Sequence, residues 1–396
     1  MLNTNTASFD RLGQETDVVG YPVLPLIRQL ADQSPPEFAK YIHWGATTQD
    51  IMDNAMMLQI RSGIQLVRRE VLTLVSCLIG LARKHRDIPM AGRTHLQHAL
   101  PVTFGYKCAV YLFPFLQHLD RLNNIEQSNL LVQFGGAAGT LASIGPRPET
   151  GLRVRAALAR ELKLLEPPIT WHVARDTIAE ILNLLALIGG SLGKIAYDLI
   201  IMSSNEFGEV SEPFVPHRGA SSTMPQKRNP ISSEIILAAS KLLREKASLG
   251  LDAMVADFER QSGPWHLEWA AVPDAFTIVV GALHQANFAL GGLVVNEEAM
   301  MRNLLSSKGL IVGEAVMMGL APHIGRNQAH DVVYEACKTA IENDQALLDV
   351  LANDKQVTDK VSSEDLRGFC DPLNYLGASQ LQVDEVIKIA AQYVSL

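Results

Sequence analysis

The sequence predicts an all-α protein built around a bundle of long helices. Apolar residues recur at steps of three and four over five stretches, and period-two alternation between hairpin turns is not evident. Each stretch is about 20 to 40 residues long, against an average of roughly 11 to 12 for helices of globular proteins. With 396 residues, 47% of them hydrophobic, the chain can bury a large core and form more than one structural unit.

The first long helix is predicted from Thr48 to about Arg86. Thr47 can cap it, and Asp50 lies three residues further on, as the acidic member of a capping box does. The apolar positions that predict this helix are Ile51, Met52, Ala55, Leu58, Ile60, Ile64, Val67, Val71, Leu74 and Leu78.

Four more long helices follow in the sequence, and shorter ones come after them. They are predicted at about residues 102–133, 177–205, 230–254 and 273–295. Gly189, Gly190 and Gly193 lie inside the third and permit close helix–helix approach. Because the helical patterns shorten after Asn296, we expect an N-terminal helical domain over 1–48, a central bundle over 49–295 and a C-terminal helical domain over 296–396.

Composition excludes several classes of function. The net charge of −8 and a pI of about 5.8, without a long Lys/Arg block, argue against nucleic-acid binding. The uncharged stretch 181–193 is shorter than the roughly 20 residues needed to span a membrane, and the stretch 276–295 has polar side chains in its middle. The polar N-terminus shows no secretory signal. We expect a soluble cytoplasmic protein.

The cysteines indicate neither a disulfide framework nor a metal site. They are far apart, without a CxxC pair, which is typical of free thiols in a reducing compartment. The four are Cys77, Cys108, Cys337 and Cys370.

Polar clusters lie between the long helices. The segment 41–48 leads into a helix N-terminus, which suits a carboxylate or phosphate, although an ordinary threonine cap explains it as well. His95 and His98 could ligate a metal, but no acidic or cysteine partner is close in sequence, so no metal is expected. The glycine-rich segment 135–140 lacks the lysine of a phosphate-binding loop and predicts a tight turn.

The segment GASSTMPQKRNP, residues 219–230, is the strongest local signal. Hydroxyls, a Lys-Arg pair and an amide are gathered between two prolines. Ser221 could act as a base if cations and N–H groups stabilise its alkoxide, while Lys227 and Asn229 could hold a carboxylate. A solvated basic turn is the alternative that these residues leave open.

Three blocks in order resemble the fumarase/aspartase superfamily. Segment 219–230 is similar to its GSSxMPxKxNP loop, His43–Asp50 to its first conserved block, and Gly92–Gln97 with Pro101 to its second. The similarity covers essentially the whole chain. It implies three helical domains with a central long bundle, the L-aspartase-like fold, and a homotetramer in which each active site draws on three subunits. Family members usually carry a further segment before the position where this sequence starts, so the first domain is expected to be shortened.

The resemblance also implies a reaction. A base removes the proton next to a carboxylate, an aci-carboxylate forms, and a group on the neighbouring carbon leaves, without a cofactor. Ser221 matches the base, His95 the histidine that acts at the leaving group, and Glu234 the carboxylate paired with that histidine. The implied contacts to a small polycarboxylate substrate are His43, Thr47, Thr48, Thr94, Gln97, Ser222, Met224, Lys227, Asn229 and Arg260.

Within the superfamily the sequence most resembles the bacterial-type 3-carboxy-cis,cis-muconate cycloisomerases. Adenylosuccinate lyase is a poorer match, because Thr16, Trp171 and Trp269 replace residues that contact its nucleotide. The cycloisomerases usually have Trp in place of His95 and lack Glu234. We therefore keep two alternatives: a lyase that releases fumarate from an N- or O-substituted succinate, and a non-catalytic, crystallin-like relative.

Overall fold

The computed structural model describes residues 7–394, which are mostly helical, and this confirms the predicted fold class. The long helices of the described chain are α4 (Thr48–Lys84), α5 (Phe104–Ser128), α7 (Asp176–Met202), α8 (Ile231–Ala253) and α9 (Trp265–Gly291). The shorter helices before and between them are α1 (Phe9–Val19), α2 (Val23–Asp32), α3 (Pro36–Ala39) and α6 (Pro148–Leu162). Those after them are α10 (Glu297–Leu305), α11 (Gly313–Ile324), α12 (Arg326–Glu342), α13 (Leu347–Ala352), α14 (Lys355–Thr358), α15 (Ser363–Cys370) and α16 (Ser379–Ala390).

Within residues 7–394, four short strands form two antiparallel pairs that the sequence did not predict. β1 (Pro89–Thr94) and β2 (Gln97–Thr103) make a hairpin in which Thr94 lies opposite Gln97, with a register shift between Ala91 and Arg93. β3 (Val210–Ser211) pairs with β4 (Val294–Val295). The hairpin contains a glycine and two prolines and buries few side chains in alternation, so its sequence lacks the usual strand pattern.

The boundaries of two long helices were predicted wrongly. α5 begins at Phe104 because the preceding residues belong to β2, and it ends at Ser128. α9 begins at Trp265, and Pro273, which was predicted to start it, lies inside. A proline removes one hydrogen bond from a helix interior, and packing along a long buried helix offsets that loss.

The described residues pack as two compact units, each assembled from three stretches of chain. The first comprises residues 7–69, 118–189 and 240–281, and the second comprises residues 70–117, 190–239 and 282–394. The three-domain division at residues 48 and 296 stays a prediction.

In the first unit, apolar residues of α4 lie in the core at the predicted spacing: Ile60, Ile64 and Val67 are buried. A Cβ on Gly189 of α7 would lie 2.5 Å from Leu243 Cδ1 of α8, so the predicted close approach is made there, whereas Gly190 has open space. In the second unit, a separate core is formed by α11, α12, α13 and α15 around buried residues such as Val316, Leu320, Leu347 and Leu351.

One described helix, α7, is long and apolar enough to cross a membrane by length and composition. It extends beyond the uncharged stretch 181–193 at both ends. Half of its most apolar stretch is buried inside the protein, as in the core helix of a globular unit.

Candidate functional site

The first polar cluster lies in the first unit, where α4 begins. Asp50 is fully buried, and its carboxylate accepts hydrogen bonds from the backbone N–H groups of Thr47 (2.8 Å), Gly135 (2.9 Å) and Gly136 (3.2 Å). The Thr47 hydroxyl donates to it as well, at 3.0 Å. The contact to the Thr47 N–H is the acidic half of the capping box that the sequence predicts. Asp50 therefore holds the helix start and the glycine turn together.

His172 completes this cluster. Its Nε2 lies 2.7 Å from Asp50 Oδ1, and both residues are buried. Burial by itself would raise the pKa of Asp50. The hydrogen bond and charge of His172, with the N–H groups of Thr47 and Gly135, nevertheless hold that pKa below its ordinary value. Asp50 is thus a carboxylate, and His172 Nε2 donates to it.

A second buried network lies one turn further along α4. Arg175 donates to Asp53 through both terminal nitrogens, at 2.9 and 3.1 Å, and to Glu268 through Nε at 2.9 Å. Trp265 Nε1 donates at 3.1 Å to Asp53 Oδ1, the same oxygen that accepts from Arg175 Nη2. Burial raises the pKa of Glu268, while Arg175 opposes that rise. All three charged side chains of this network are fully buried, so the two carboxylates depend on the one guanidinium for compensation of their charge.

Arg260 is held beside the first cluster by uncharged acceptors. It donates to Gln49 Oε1 and to the carbonyl oxygens of Gly136 and Ala137, each at 2.8 Å, and to Thr47 Oγ1 at 3.4 Å. Within residues 7–394 no carboxylate forms an ion pair with it. Burial lowers the pKa of Arg260, against the attraction of Asp50 and Asp53. The guanidinium therefore keeps a positive charge that no ion-pair partner neutralises.

A cavity of ≈ 340 Å³ opens beside this guanidinium. Three predicted binding residues, Thr47, Thr48 and Arg260, line it, and its wall is completed by Tyr21, Gln49, Ala137, Gln261 and Trp265. The amide of Gln261 is buried without a hydrogen-bond partner in the described chain. A cation, two hydroxyls and a helix N-terminus around one space suit an anionic ligand.

His43 belongs to the same region but is not among the residues that line the cavity. It has a positive φ of 64°, and its Nδ1 is buried without a hydrogen-bond partner among the described residues. Burial lowers the pKa of His43, and the charge of Asp50 acts against this. The imidazole is therefore held in its neutral form at neutral pH.

In the second unit, the β1–β2 hairpin exposes the second predicted block. His95 and Leu96 form the turn, with φ values of 51° and 62°. Positive φ at both residues of a two-residue turn is typical of type I′ and is uncommon for side chains other than Gly, Asn and Asp. Thr94, His95 and Gln97 are all exposed there. The turn places the His95 imidazole at the tip of the hairpin.

An ion pair between the partly buried Arg93 and the fully buried Glu209 anchors this hairpin. Arg93 Nη1 and Nη2 donate to Glu209 at 3.0 and 2.6 Å, and the guanidinium lies 4.6 Å from the centre of the Phe207 ring. Glu209 is fully buried and also accepts from Asn303 Nδ2 at 2.9 Å. The exposed tip is therefore attached to a rigid base.

The third block, residues 219–230, is a closed loop. Gly219 O accepts both the backbone N–H and the side-chain N–H of Asn229, each at 3.1 Å, and Ala220 pairs with Arg228. Inside the loop, Ser221 Oγ accepts from the backbone N–H groups of Met224 (3.1 Å) and Thr223 (3.4 Å). Two N–H dipoles on one hydroxyl oxygen would favour its alkoxide.

The loop borders a cavity of ≈ 820 Å³. This cavity brings together four of the predicted residues, Met224, Lys227, Asn229 and Glu234, but is not lined by Ser221 or Ser222. Arg218 and the segment just after α7, including Ser204, Asn205 and Glu206, also line it. Sequence reasoning missed these residues. Arg218 could have been suspected because it directly precedes the loop, but the sequence carries no comparable signal for the others.

The predicted site residues as a whole are divided between the two units. The first unit holds His43, Thr47, Thr48 and Arg260, and the second holds Thr94, His95, Gln97, Ser221, Ser222, Met224, Lys227, Asn229 and Glu234. His95 and Glu234 are both exposed, and in the described chain neither side chain makes a hydrogen bond or ion pair. Over residues 7–394, no three His, Cys, Asp or Glu side chains group as a metal site.

Two family models match the sequence. The one described as lyase matches residues 13–242, and the one described as adenylosuccinate lyase C-terminus matches residues 309–386. The first match contains all three blocks, and together the two models extend over most of the chain.

Named relatives cover nearly the whole sequence. Trans-aconitate decarboxylase 1 of Mycosarcoma maydis is 46% identical over 374 residues, which is 94% of this chain and 75% of that protein. The 3-carboxy-cis,cis-muconate cycloisomerase of Acinetobacter baylyi is 40% identical over 385 residues, or 96% and 85%. Among solved structures, a fumarate lyase from Mesorhizobium sp. BNC1 is 52% identical with a TM-score of 0.91, covering 97% of this chain and 86% of the other.

Proposed function

Because the chain is an enzyme that belongs to the fumarase/aspartase superfamily of lyases, we propose that it eliminates or adds a group next to a substrate carboxylate by proton abstraction at Ser221. The observation that carries this proposal is the pair of backbone N–H groups on Ser221 Oγ. A serine hydroxyl is a weak base, and donors aimed at its oxygen stabilise the alkoxide that can take the proton.

The charge that develops in the reaction is proposed to be held beside this loop. Removing a proton next to a carboxylate gives an aci-carboxylate with two negative charges. The Lys227 ammonium and the Asn229 amide line the cavity bordered by the loop, and Lys227 has no ion-pair partner in the described chain. Donors that are in place before the charge forms lower the barrier without reorganisation.

His95 is proposed to protonate the leaving group, with Glu234 as its partner. A carboxylate beside an imidazole raises its pKa and fixes its tautomer. Because both side chains are exposed in a single chain, we propose that they meet between subunits of a homotetramer whose active sites draw on three chains. Thr94, Gln97 and Ser222 would bind the substrate carboxylates at the same site.

The Arg260 cavity is proposed as a further carboxylate subsite, with Thr47 and Thr48 at the helix start and His43 behind them. Two relatives are named for tricarboxylates, trans-aconitate and 3-carboxy-cis,cis-muconate. A substrate with several carboxylates requires more than one cationic contact. We therefore propose a small polycarboxylate substrate, processed in the cytoplasm without a metal, membrane or nucleic-acid partner.

A second candidate is release of fumarate from a substituted succinate. Both members of the proposed dyad, His95 and Glu234, favour it, because an amine or oxygen leaving group needs a proton donor. It differs from the first candidate in its product, fumarate, and in its substrate, a saturated skeleton.

A substrate panel separates the candidates. We would assay loss of 3-carboxy-cis,cis-muconate, loss of trans-aconitate, and appearance of fumarate from N-succinyl amines, each by ultraviolet absorbance. Ser221→Ala is expected to lower kcat by at least about a hundredfold, the low end for a lost general base. Ser76→Ala, which alters an exposed serine that donates only to Leu72 O, is the matched control. Turnover by Ser221→Ala at the wild-type rate would overturn the proposed mechanism.

A further inference from the structure

The start of α8 lacks a cap from its own segment. The helix begins at Ile231, so the residue in the N-cap position is Pro230, whose side chain carries no acceptor. The first N–H groups of a helix need acceptors from outside the helix, and a side chain at the N-cap is the usual source. Ser232 and Ser233, both fully buried, therefore depend on another part of the chain.

Glu212 supplies those acceptors. Its Oε2 accepts from the Ser232 N–H at 3.1 Å, and its Oε1 accepts from the Ser233 N–H and hydroxyl, both at 2.8 Å. A carboxylate at this end of a helix also interacts favourably with the helix dipole. Glu212 precedes the loop by only a few residues, so one side chain fastens the chain before the loop to the helix after it.

Arg218 makes a second fastening at the same point. Its Nη2 donates to Ser232 Oγ and to Gln285 Oε1, both at 2.6 Å, and its guanidinium lies 4.1 Å from the centre of the Phe288 ring. Arg218 directly precedes Gly219, where the loop begins. Both ends of the loop thus meet at Ser232, on a helix start that Glu212 holds.

The loop itself has few other anchors. Residues 222–228 are exposed, and the hydrogen bonds to Ser221 Oγ come from within the loop. The position of Ser221 therefore follows from the position of the loop base. Glu234, which lies in the first turn of α8, depends on the same helix start.

We propose that Glu212 is a positioning residue for the reaction: by capping α8 it fixes the base of loop 219–230 and hence the places of Ser221 and Glu234. This inference rests on the proposed function of those two residues. Glu212 acts through the helix start and not on the reacting atoms. A displacement of about 1 Å at a reacting group can cost a hundredfold in rate, so a small shift of the loop base would be visible in kcat.

The test is hydrogen exchange of the full-length protein, read by mass spectrometry, with Glu212→Ala. Loss of a carboxylate cap is expected to accelerate amide exchange in residues 219–236 by roughly tenfold and to leave exchange elsewhere unchanged. Asp354→Ala is the matched control, since Asp354 caps α14 by accepting from the Gln356 N–H at 2.8 Å, away from the loop. Glu212→Gln, which keeps one acceptor oxygen, provides the measurement if Glu212→Ala does not fold.

Turnover adds a readout that a purely structural role would not change. With 3-carboxy-cis,cis-muconate and trans-aconitate, kcat per folded protein should fall at least about tenfold in Glu212→Gln, while KM changes less than about threefold. Asp354→Ala should retain the wild-type kcat. Unchanged exchange in 219–236, or acceleration spread over the whole chain, overturns the inference, whatever the turnover.

The two proposals fail differently. Wild-type turnover by Ser221→Ala removes the proposed function, whereas local acceleration of exchange in Glu212→Ala would still show that Glu212 holds the loop. Conversely, if Ser221→Ala is inactive and amide exchange in Glu212→Ala is unchanged, the proposed function stands and the positioning role of Glu212 is overturned.

Discussion

Replacing Asp50 by Asn should strongly destabilise the first unit. The substitution is nearly isosteric, but it exchanges one acceptor oxygen for an NH₂ donor and removes the charge. Asp50 Oδ1 accepts from Gly135 N–H and His172, and Oδ2 accepts from the Thr47 and Gly136 N–H groups. The Thr47 hydroxyl also donates to Oδ2, so whichever way the new amide turns, at least two donors lose their acceptor and face another donor.

The magnitude follows from these contacts. Leaving a buried donor without an acceptor costs about 1–3 kcal/mol, and two such losses give about 2–6 kcal/mol. Removing one member of a buried charged pair costs about 3–5 kcal/mol, which agrees with that range. Because the whole free energy of unfolding of a domain is about 5–15 kcal/mol, a mid-range cost of about 4 kcal/mol would remove roughly 40% of a mid-range stability of about 10 kcal/mol.

The lowered pKa of Asp50 determines how its contribution to the free energy of unfolding changes with pH. The pKa of Asp50 is lowered on folding, so its contribution is present above the unfolded pKa of about 3.9 and is lost as the pH falls through the folded value. The difference between wild type and Asp50→Asn should therefore be full at pH 7 and shrink below about pH 4.

Denaturant unfolding measured across this pH range is the assay. Asp257→Asn is a matched control, because Asp257 also accepts two hydrogen bonds, from the N–H and hydroxyl of Ser262, but on an exposed surface, and it should matter far less. A cost below about 1 kcal/mol at pH 7, typical of surface changes, would refute the assignment of Asp50 as the anchor of this cluster.

Three further predictions test other parts of the molecule. Burial and the charge of Arg121 lower the pKa of His118 to about 4. Because the unfolded chain then binds the proton first, wild-type stability should fall as the pH drops from about 6.5 towards 4. The variant His118→Gln should flatten that fall in urea titrations. Arg260→Gln should weaken binding of citrate at least about tenfold in calorimetry with little change in Tm, and unchanged affinity would remove the proposed subsite. Gly219 has a φ of 68°, and a Cβ there would lie 2.6 Å from Asn229 O. Gly219→Ala should therefore open the loop base at a cost of about 1–2 kcal/mol and speed proteolysis in 219–230. Gly281→Ala, at a site with open space, should leave proteolysis in 219–230 unchanged.

Much of the helical architecture followed from the sequence. The spacing of Ile60, Ile64 and Val67 predicted the buried face of α4, and these residues are buried. Periodicity is a local property, so it can be counted without knowing what packs against it. The loop at 219–230 was equally evident, because its prolines and polar residues exclude a helix or strand interior.

The start of α4 at Thr48 was predicted, but which side chains are buried in its first turns was not. The apolar pattern placed Ile51, Met52 and Ala55 on its buried face, yet Ala55 is exposed, whereas Asp50 and Asp53 are fully buried. Polar side chains can take core positions only when partners satisfy them, and the partners here, His172 and Arg175, are more than a hundred residues away in sequence.

The hairpin that carries His95 likewise depends on contacts that the sequence did not reveal. Its sequence predicted a polar segment before a helix, and only the pairing of β1 with β2 showed that His95 lies in a turn of positive φ anchored by Arg93 and Glu209. The sequence by itself therefore determined the long helices, the three polar blocks and the family, because these depend on local spacing. Which carboxylate holds which block depends on distances between remote residues, and only the tertiary structure decided that.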